Sequence, residues 1–98
     1  MGDLTITLEQ TGTKGRYVAV APGVTKPAEL HFSKAGPTLV IASRTDVPEA
    51  MRGMGVGRSL VERLIADART EGFRIVPLCP FVKAQYARHP EWSDVMRE

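Results

Sequence analysis

The sequence predicts an α/β protein of the α+β kind, with a mixed, mostly antiparallel sheet in the element order β-β-β-β-α-β-α. Three observations predict it. Up to Val47, apolar and polar side chains alternate between glycine- and proline-marked turns, the pattern of an antiparallel meander of short strands. From Val56 the apolar residues recur every three to four positions, the stripe of a helix with one buried face. A further apolar run follows that helix, so it forms the crossover of a β-α-β unit, which is right-handed and covers one sheet face. With it the sheet has about five strands.

Each element has its own signal. In Leu4 to Thr11, Leu4, Ile6 and Leu8 alternate with Thr5, Thr7 and Glu9, as in a strand with one buried face. Gly12-Thr13-Lys14-Gly15 reads as a turn, Arg16 to Ala21 as a second strand, and Pro22-Gly23 as another turn. Ala28 to Ser33 is a third strand, Lys34-Ala35-Gly36-Pro37 a turn, and Thr38 to Val47 a fourth strand. Val56, Leu60, Val61, Leu64, Ile65 and Ala68 then mark a helix from Gly57 to Glu71, with Gly72 as its C-cap. Phe73 to Cys79 returns to a strand. Pro77 lacks a backbone donor, which places that strand at an edge or splays it locally. Pro80 suits the first turn of a second helix, carrying Val82, Tyr86 and Ala87, which His89-Pro90-Glu91-Trp92 closes. Trp92 reads as an anchor over the sheet edge. The tail from Ser93 to Glu98 is expected to fray.

Composition narrows the functional classes. The chain has 98 residues, 43% hydrophobic and 24% charged, which fits one small globular domain over residues 1–98. No run approaches a membrane span, and the N-terminus lacks the basic and apolar regions of a signal peptide, so a cytoplasmic protein is expected. One cysteine excludes an internal disulfide, and two histidines without ligand spacing argue against a metal site. The net charge of +2 is spread along the chain, a weak signal for nucleic acid.

The most informative segment is Val47-Pro48-Glu49-Ala50-Met51-Arg52-Gly53-Met54-Gly55-Val56-Gly57-Arg58. Alternating glycines ahead of a helix let a ligand approach bare backbone, and the free N–H groups of the first helical turn face it. Together they form an anion site. A phosphate-binding loop of the Gly-x-x-x-x-Gly-Lys-Ser/Thr type fails because Arg52 stands where its first glycine belongs. A Gly-x-Gly-x-x-Gly dinucleotide loop fails at Arg58. The pattern that fits is Arg/Gln-x-x-Gly-x-Gly/Ala.

In that pattern, Arg52 to Gly57 resembles the acetyl-CoA-binding signature of the GCN5-related N-acetyltransferases. Downstream, Cys79-Pro80-Phe81-Val82, Tyr86 and His89-Pro90-Glu91-Trp92 look like a short single-domain branch of that family, without the usual N-terminal helices. The resemblance implies that Val47, Arg52, Gly53, Gly55, Val56, Gly57 and Arg58 bind coenzyme A, with the pyrophosphate on the loop. It implies acetyl transfer from acetyl-CoA to an amine, a protein lysine or terminus being one class of acceptor. Cys79 becomes a candidate acetyl-accepting nucleophile or a residue lining the thioester site, and Tyr86 a candidate proton donor to the departing thiolate. Relatives usually carry a histidine where Arg44 stands here. An arginine cannot take a proton near neutral pH, so Asp46, Glu49 or water is left as base. Lys83 could reach the CoA phosphates. His89 reads as structural, and His31, in the middle of a strand, as half-buried or exposed rather than functional. A monomer or weak dimer is expected. Two other classes stay open: a CoA- or acyl-CoA-binding module without catalysis, acting as sensor or partner subunit, and, more weakly, a small basic nucleic-acid binder.

Overall fold

The computed structural model describes residues 4–97. Strands β1 (Thr5–Thr11), β2 (Lys14–Val20), β3 (Ala28–Gly36) and β4 (Leu39–Asp46) form a meander, and a 3-10 turn follows at Glu49–Met51. Helix α1 (Val56–Glu71) crosses to β5 (Arg74–Pro77), and helix α2 (Pro80–Arg88) leads into a second 3-10 segment, Pro90–Val95. The sheet order is β1-β2-β3-β4-β5, antiparallel except for the parallel β4–β5 pair. Element order and sheet type are those the hydrophobic periods predict.

The turns are tighter than the sequence suggests. Thr11 pairs with Lys14, so the first hairpin turns on Gly12-Thr13 alone, with Gly12 at φ +62°. Two-residue hairpins place glycine at such a position. Gly15, read above as a turn residue, lies within β2. An added Cβ would stand 2.4 Å from the tip of the Phe32 ring on β3, its cross-strand neighbour. Lys34 and Gly36, also read as turn, still pair with β4, because the chain reverses at Pro37-Thr38.

All six apolar residues of the predicted α1 stripe are buried, facing Tyr17, Leu30, Phe32, Val40, Ala42 and Ile75 of the sheet. Gly72 ends the helix at φ +81°, its N–H on the Ala68 carbonyl. Tyr17 is a buried core residue with a polar partner across the core. Its hydroxyl donates to Asp67 of α1 at 2.8 Å. Burial and then the Asp67 carboxylate push the hydroxyl far above its ordinary pKa, so it stays protonated. Asp67 in turn accepts from Arg63, whose Nη1 also donates to the Ile6 carbonyl on β1 at 3.2 Å.

The opposite sheet face is polar. A chain of contacts crosses four strands: Arg16 donates to Glu9 at 2.8 Å and to Glu29 at 3.0 Å. His31 Nε2 lies 2.7 Å from Glu29 and 3.2 Å from Arg44. Arg44 reaches Asp46 at 2.9 Å. Antiparallel sheets with one wetted face take this form.

The tail does not fray within the described residues. Val95 and Met96 are buried, Met96 bridges to Ile75 in parallel, and the Arg97 N–H donates to the Ile75 carbonyl at 2.8 Å. The reason is that β5 presents open backbone on its outer side, and the tail fills it. Arg69 of α1 fixes the segment with two bonds to Asp94, both 3.0 Å. Glu98 lies outside the described residues.

Gly15→Ala tests the hairpin packing. An alanine in a strand is ordinarily favoured over glycine by roughly 0.5–1 kcal/mol. Here the buried Phe32 ring must be displaced, so chemical denaturation should show a loss of about 1–3 kcal/mol.

Candidate active site

The site starts from two local irregularities. In β3–β4 pairing the register slips between His31 and Phe32, which face Arg44 and Ala42, leaving Ser43 as the extra residue of a bulge. Val40 and Ala42 face the helices before the bulge. After it, Thr45 and Val47 do, while Arg44 and Asp46 turn to the polar face. Backbone direction alternates with the side chains along a strand, so the N–H and C=O groups of Thr45, the last helix-facing residue of β4, point away from β3.

On that side β5 has already ended. Pro77 pairs with Ala42, and the Leu78 N–H then folds back onto the Val76 carbonyl at 2.9 Å. This is a three-residue turn with Pro77 at its centre, where the fixed proline φ fits. Cys79 takes the last bond, its N–H on the Ala42 carbonyl at 2.9 Å, and caps α2. The missing Pro77 N–H lies on the outer edge, consistent with the edge placement its position implies. The strand therefore ends two residues before the predicted Cys79, because the turn lifts the chain out of the sheet. Strands β4 and β5 diverge into a wedge.

The segment 47–58 runs along the mouth of this wedge. Met51 is buried and anchors it, with Arg52 N–H bonded to the Glu49 carbonyl at 3.1 Å and Met54 N–H to the Met51 carbonyl at 3.2 Å. Gly53 and Gly55 adopt left-handed backbone, φ +83° and +72°, with open space where a Cβ would stand. Gly55 opens α1 without a side-chain cap. The N–H groups of Val56, Gly57 and Arg58 have no intrahelical acceptor, as at any helix start. Gly57 differs from the other two glycines: an added Cβ would meet the Phe81 ring at 2.7 Å, so this glycine lets α2 pack against the first turn of α1.

These elements enclose a cleft of about 610 Å³. Its wall contains all seven predicted cofactor-binding residues, Val47, Arg52, Gly53, Gly55, Val56, Gly57 and Arg58. It also takes Thr45, Met51, Phe81, Gln85 and Arg88, which the sequence reading did not select. The signal for the last three was present: they stand four and three residues apart on α2, one helical stripe. Lys83 lies off that stripe and is exposed. Among the described residues no carboxylate lines the cleft, and three arginines do. Arg58 is paired with Glu62 at 3.1 Å across an exposed helix face, an interaction of little worth that an anion can replace.

The two candidate catalytic residues lie beside the cleft rather than on its wall. Cys79 is 3% exposed, at the floor of the wedge, with its Sγ 3.4 Å from Thr45 Oγ1. Tyr86 is half-buried on α2, seven residues beyond Cys79, packed against the core. Arg44 is on the far sheet face from Cys79, held by Asp46 and His31, and so does not reach the thiol. Glu49 is exposed on the 3-10 turn. His89 closes α2, stacked on the buried Trp92 at 4.3 Å between ring centroids and 3.0 Å from Glu91.

Comparison with known proteins shows the family and the fold. The family model of the GCN5-related N-acetyl-transferases matches residues 16–95. The solution structure of a GCN5-like candidate N-acetyltransferase from Staphylococcus aureus is similar in fold, with a TM-score of 0.72 and 23% identity, covering 99% of this chain and 91% of that one. No curated protein matches the sequence. The span matched by the family model holds β2 from Arg16 onward, β3 to β5, both helices and every residue of the cleft wall. This chain belongs to the GCN5-related N-acetyltransferase family.

Proposed function

We propose that this protein is an acetyl-CoA-dependent N-acetyltransferase, acting in the cytoplasm on an amine, with a protein lysine or terminus as one acceptor class. The observation that carries the reading is the cleft that joins the uncapped start of α1 to the β4–β5 wedge. No helix among the described residues is long and apolar enough to cross a membrane.

The residues present suit coenzyme A. A pyrophosphate needs convergent N–H donors and positive charge without nearby carboxylates. The left-handed Gly53 and Gly55, the free amides from Val56 to Arg58 and the Arg52 and Arg58 guanidiniums supply them. A pantetheine arm carries amide groups. The outward N–H and C=O groups of Thr45 complement them as a strand partner would. The thioester supplies an electrophilic carbonyl, and the same N–H is suited to an oxyanion developing there. Cys79 and Tyr86 are assigned to the thioester end. Tyr86 protonates the leaving thiolate, and Cys79 shapes the floor through its contact with Thr45. With no carboxylate or imidazole on the wall, and with Asp46 tied to Arg44, we assign the amine's proton to water.

The second reading, a CoA-binding module without turnover, draws support from the burial of Cys79 and from the same lack of a base on the cleft wall. Release of CoA thiol over a panel of amines separates the two readings: sustained amine-dependent release supports the transferase, and tight CoA binding without release supports the module.

Gly55→Glu places a carboxylate where the pyrophosphate is assigned; the space for it is open, and the left-handed backbone adds a strain of roughly 1–2 kcal/mol for an L side chain. Calorimetry should show CoA affinity reduced by roughly 100-fold or more, with the circular dichroism of the wild type retained. Tyr86→Phe should lower kcat on the order of 100-fold, the usual range for a proton donor, and leave CoA affinity unchanged. Cys79→Ala should impair turnover more than CoA affinity, both read in the same two assays.

A further inference from the structure

We infer that Arg88, at the last turn of α2, makes the cleft selective for a nucleotide bearing a third phosphate beside its pyrophosphate, the 3′-phosphate of coenzyme A. This inference rests on the reading that the cleft holds CoA. The cleft wall carries three arginines from two elements. Arg52 and Arg58 flank the glycine loop and match the two charges of a pyrophosphate. Arg88 belongs to the opposite wall. Phe81, Gln85 and Arg88 form one stripe along α2, and the Phe81 end is packed on Gly57, beside the loop. Arg88 stands seven residues farther, roughly 10 Å along the axis. It is therefore set apart from the pyrophosphate loop while still opening on the same cleft.

Its charge is also available. Arg16, Arg44, Arg58, Arg63 and Arg69 are each engaged by a carboxylate, whereas Arg52 and Arg88 have no ion-pair partner among the described residues. No carboxylate on the wall competes for them. A phosphate monoester carries nearly two negative charges near neutral pH, more than either phosphate of a pyrophosphate diester. A guanidinium can grip it with two parallel N–H donors, which a lysine cannot do. Lys83, the other cation of α2 to consider, lies off the stripe.

The test is calorimetric binding of CoA and of 3′-dephospho-CoA to the wild type, Arg88→Gln and Lys83→Gln. The wild type should bind CoA roughly tenfold more tightly than dephospho-CoA, the worth of one charge-assisted contact. Arg88→Gln should lose that preference by weakening CoA alone, and Lys83→Gln should keep it. Equal binding of both ligands by the wild type overturns the inference. So does an equal loss for both ligands in Arg88→Gln, which would put Arg88 on the pyrophosphate. So does loss of the preference in Lys83→Gln. If the wild type binds neither ligand, the CoA reading itself falls, and this inference with it.

Discussion

Strands β4 and β5 share a short parallel ladder and then part, because Pro77 sits at the centre of a turn that sends the Leu78 N–H back to Val76. Proline tolerates this position for two reasons. Its fixed φ matches the turn, and its absent donor faces the outer edge rather than β4. The bulge at Ser43 acts on the other side of the same gap, placing Thr45 and Val47 on the cleft wall. Either irregularity alone would be incomplete. Without the turn, β5 would fill the gap. Without the bulge, Arg44 and Asp46 would face the cleft and bring a carboxylate into it.

The charge distribution follows from the same geometry. Helices cover one sheet face only, so the charged residues of β1 to β4 collect on the other and satisfy one another there. The bulge directs Asp46 to that face, and the cleft keeps only cations. A cationic wall thus arises without a large net charge, since Glu29 and Asp46 are engaged on the other face.

Much of this was legible in the sequence, for identifiable reasons. The period of two in β1 to β4 and the stripe from Val56 to Ala68 state which side of each element is buried, and burial fixes the sheet and its covering helix. The glycine loop was legible because Gly53 and Gly55 answer to backbone conformation, a local property. Long-range contacts were not legible. Gly15 looked like a turn residue because its constraint is a Phe32 ring on the next strand. Gly57 looked like its neighbours in the motif, although its contact is with Phe81 on α2. The tail looked loose because its partner, the outer backbone of Ile75, is set by topology. The α2 stripe was hidden by the weak amphipathicity of a nine-residue helix, whose residues Phe81, Gln85 and Arg88 are chemically unlike.

The docked tail has a consequence for how this sheet meets other molecules. An open sheet has two lateral borders where unpaired backbone can recruit a foreign strand. At the β5 border, Met96 and Arg97 occupy Ile75, and the proline beside it offers no donor. At the β1 border, the Arg63 guanidinium covers the Ile6 carbonyl from above. The tail thereby closes the β5 border to strand-by-strand association, whereas at the β1 border one arginine covers a single carbonyl of the edge.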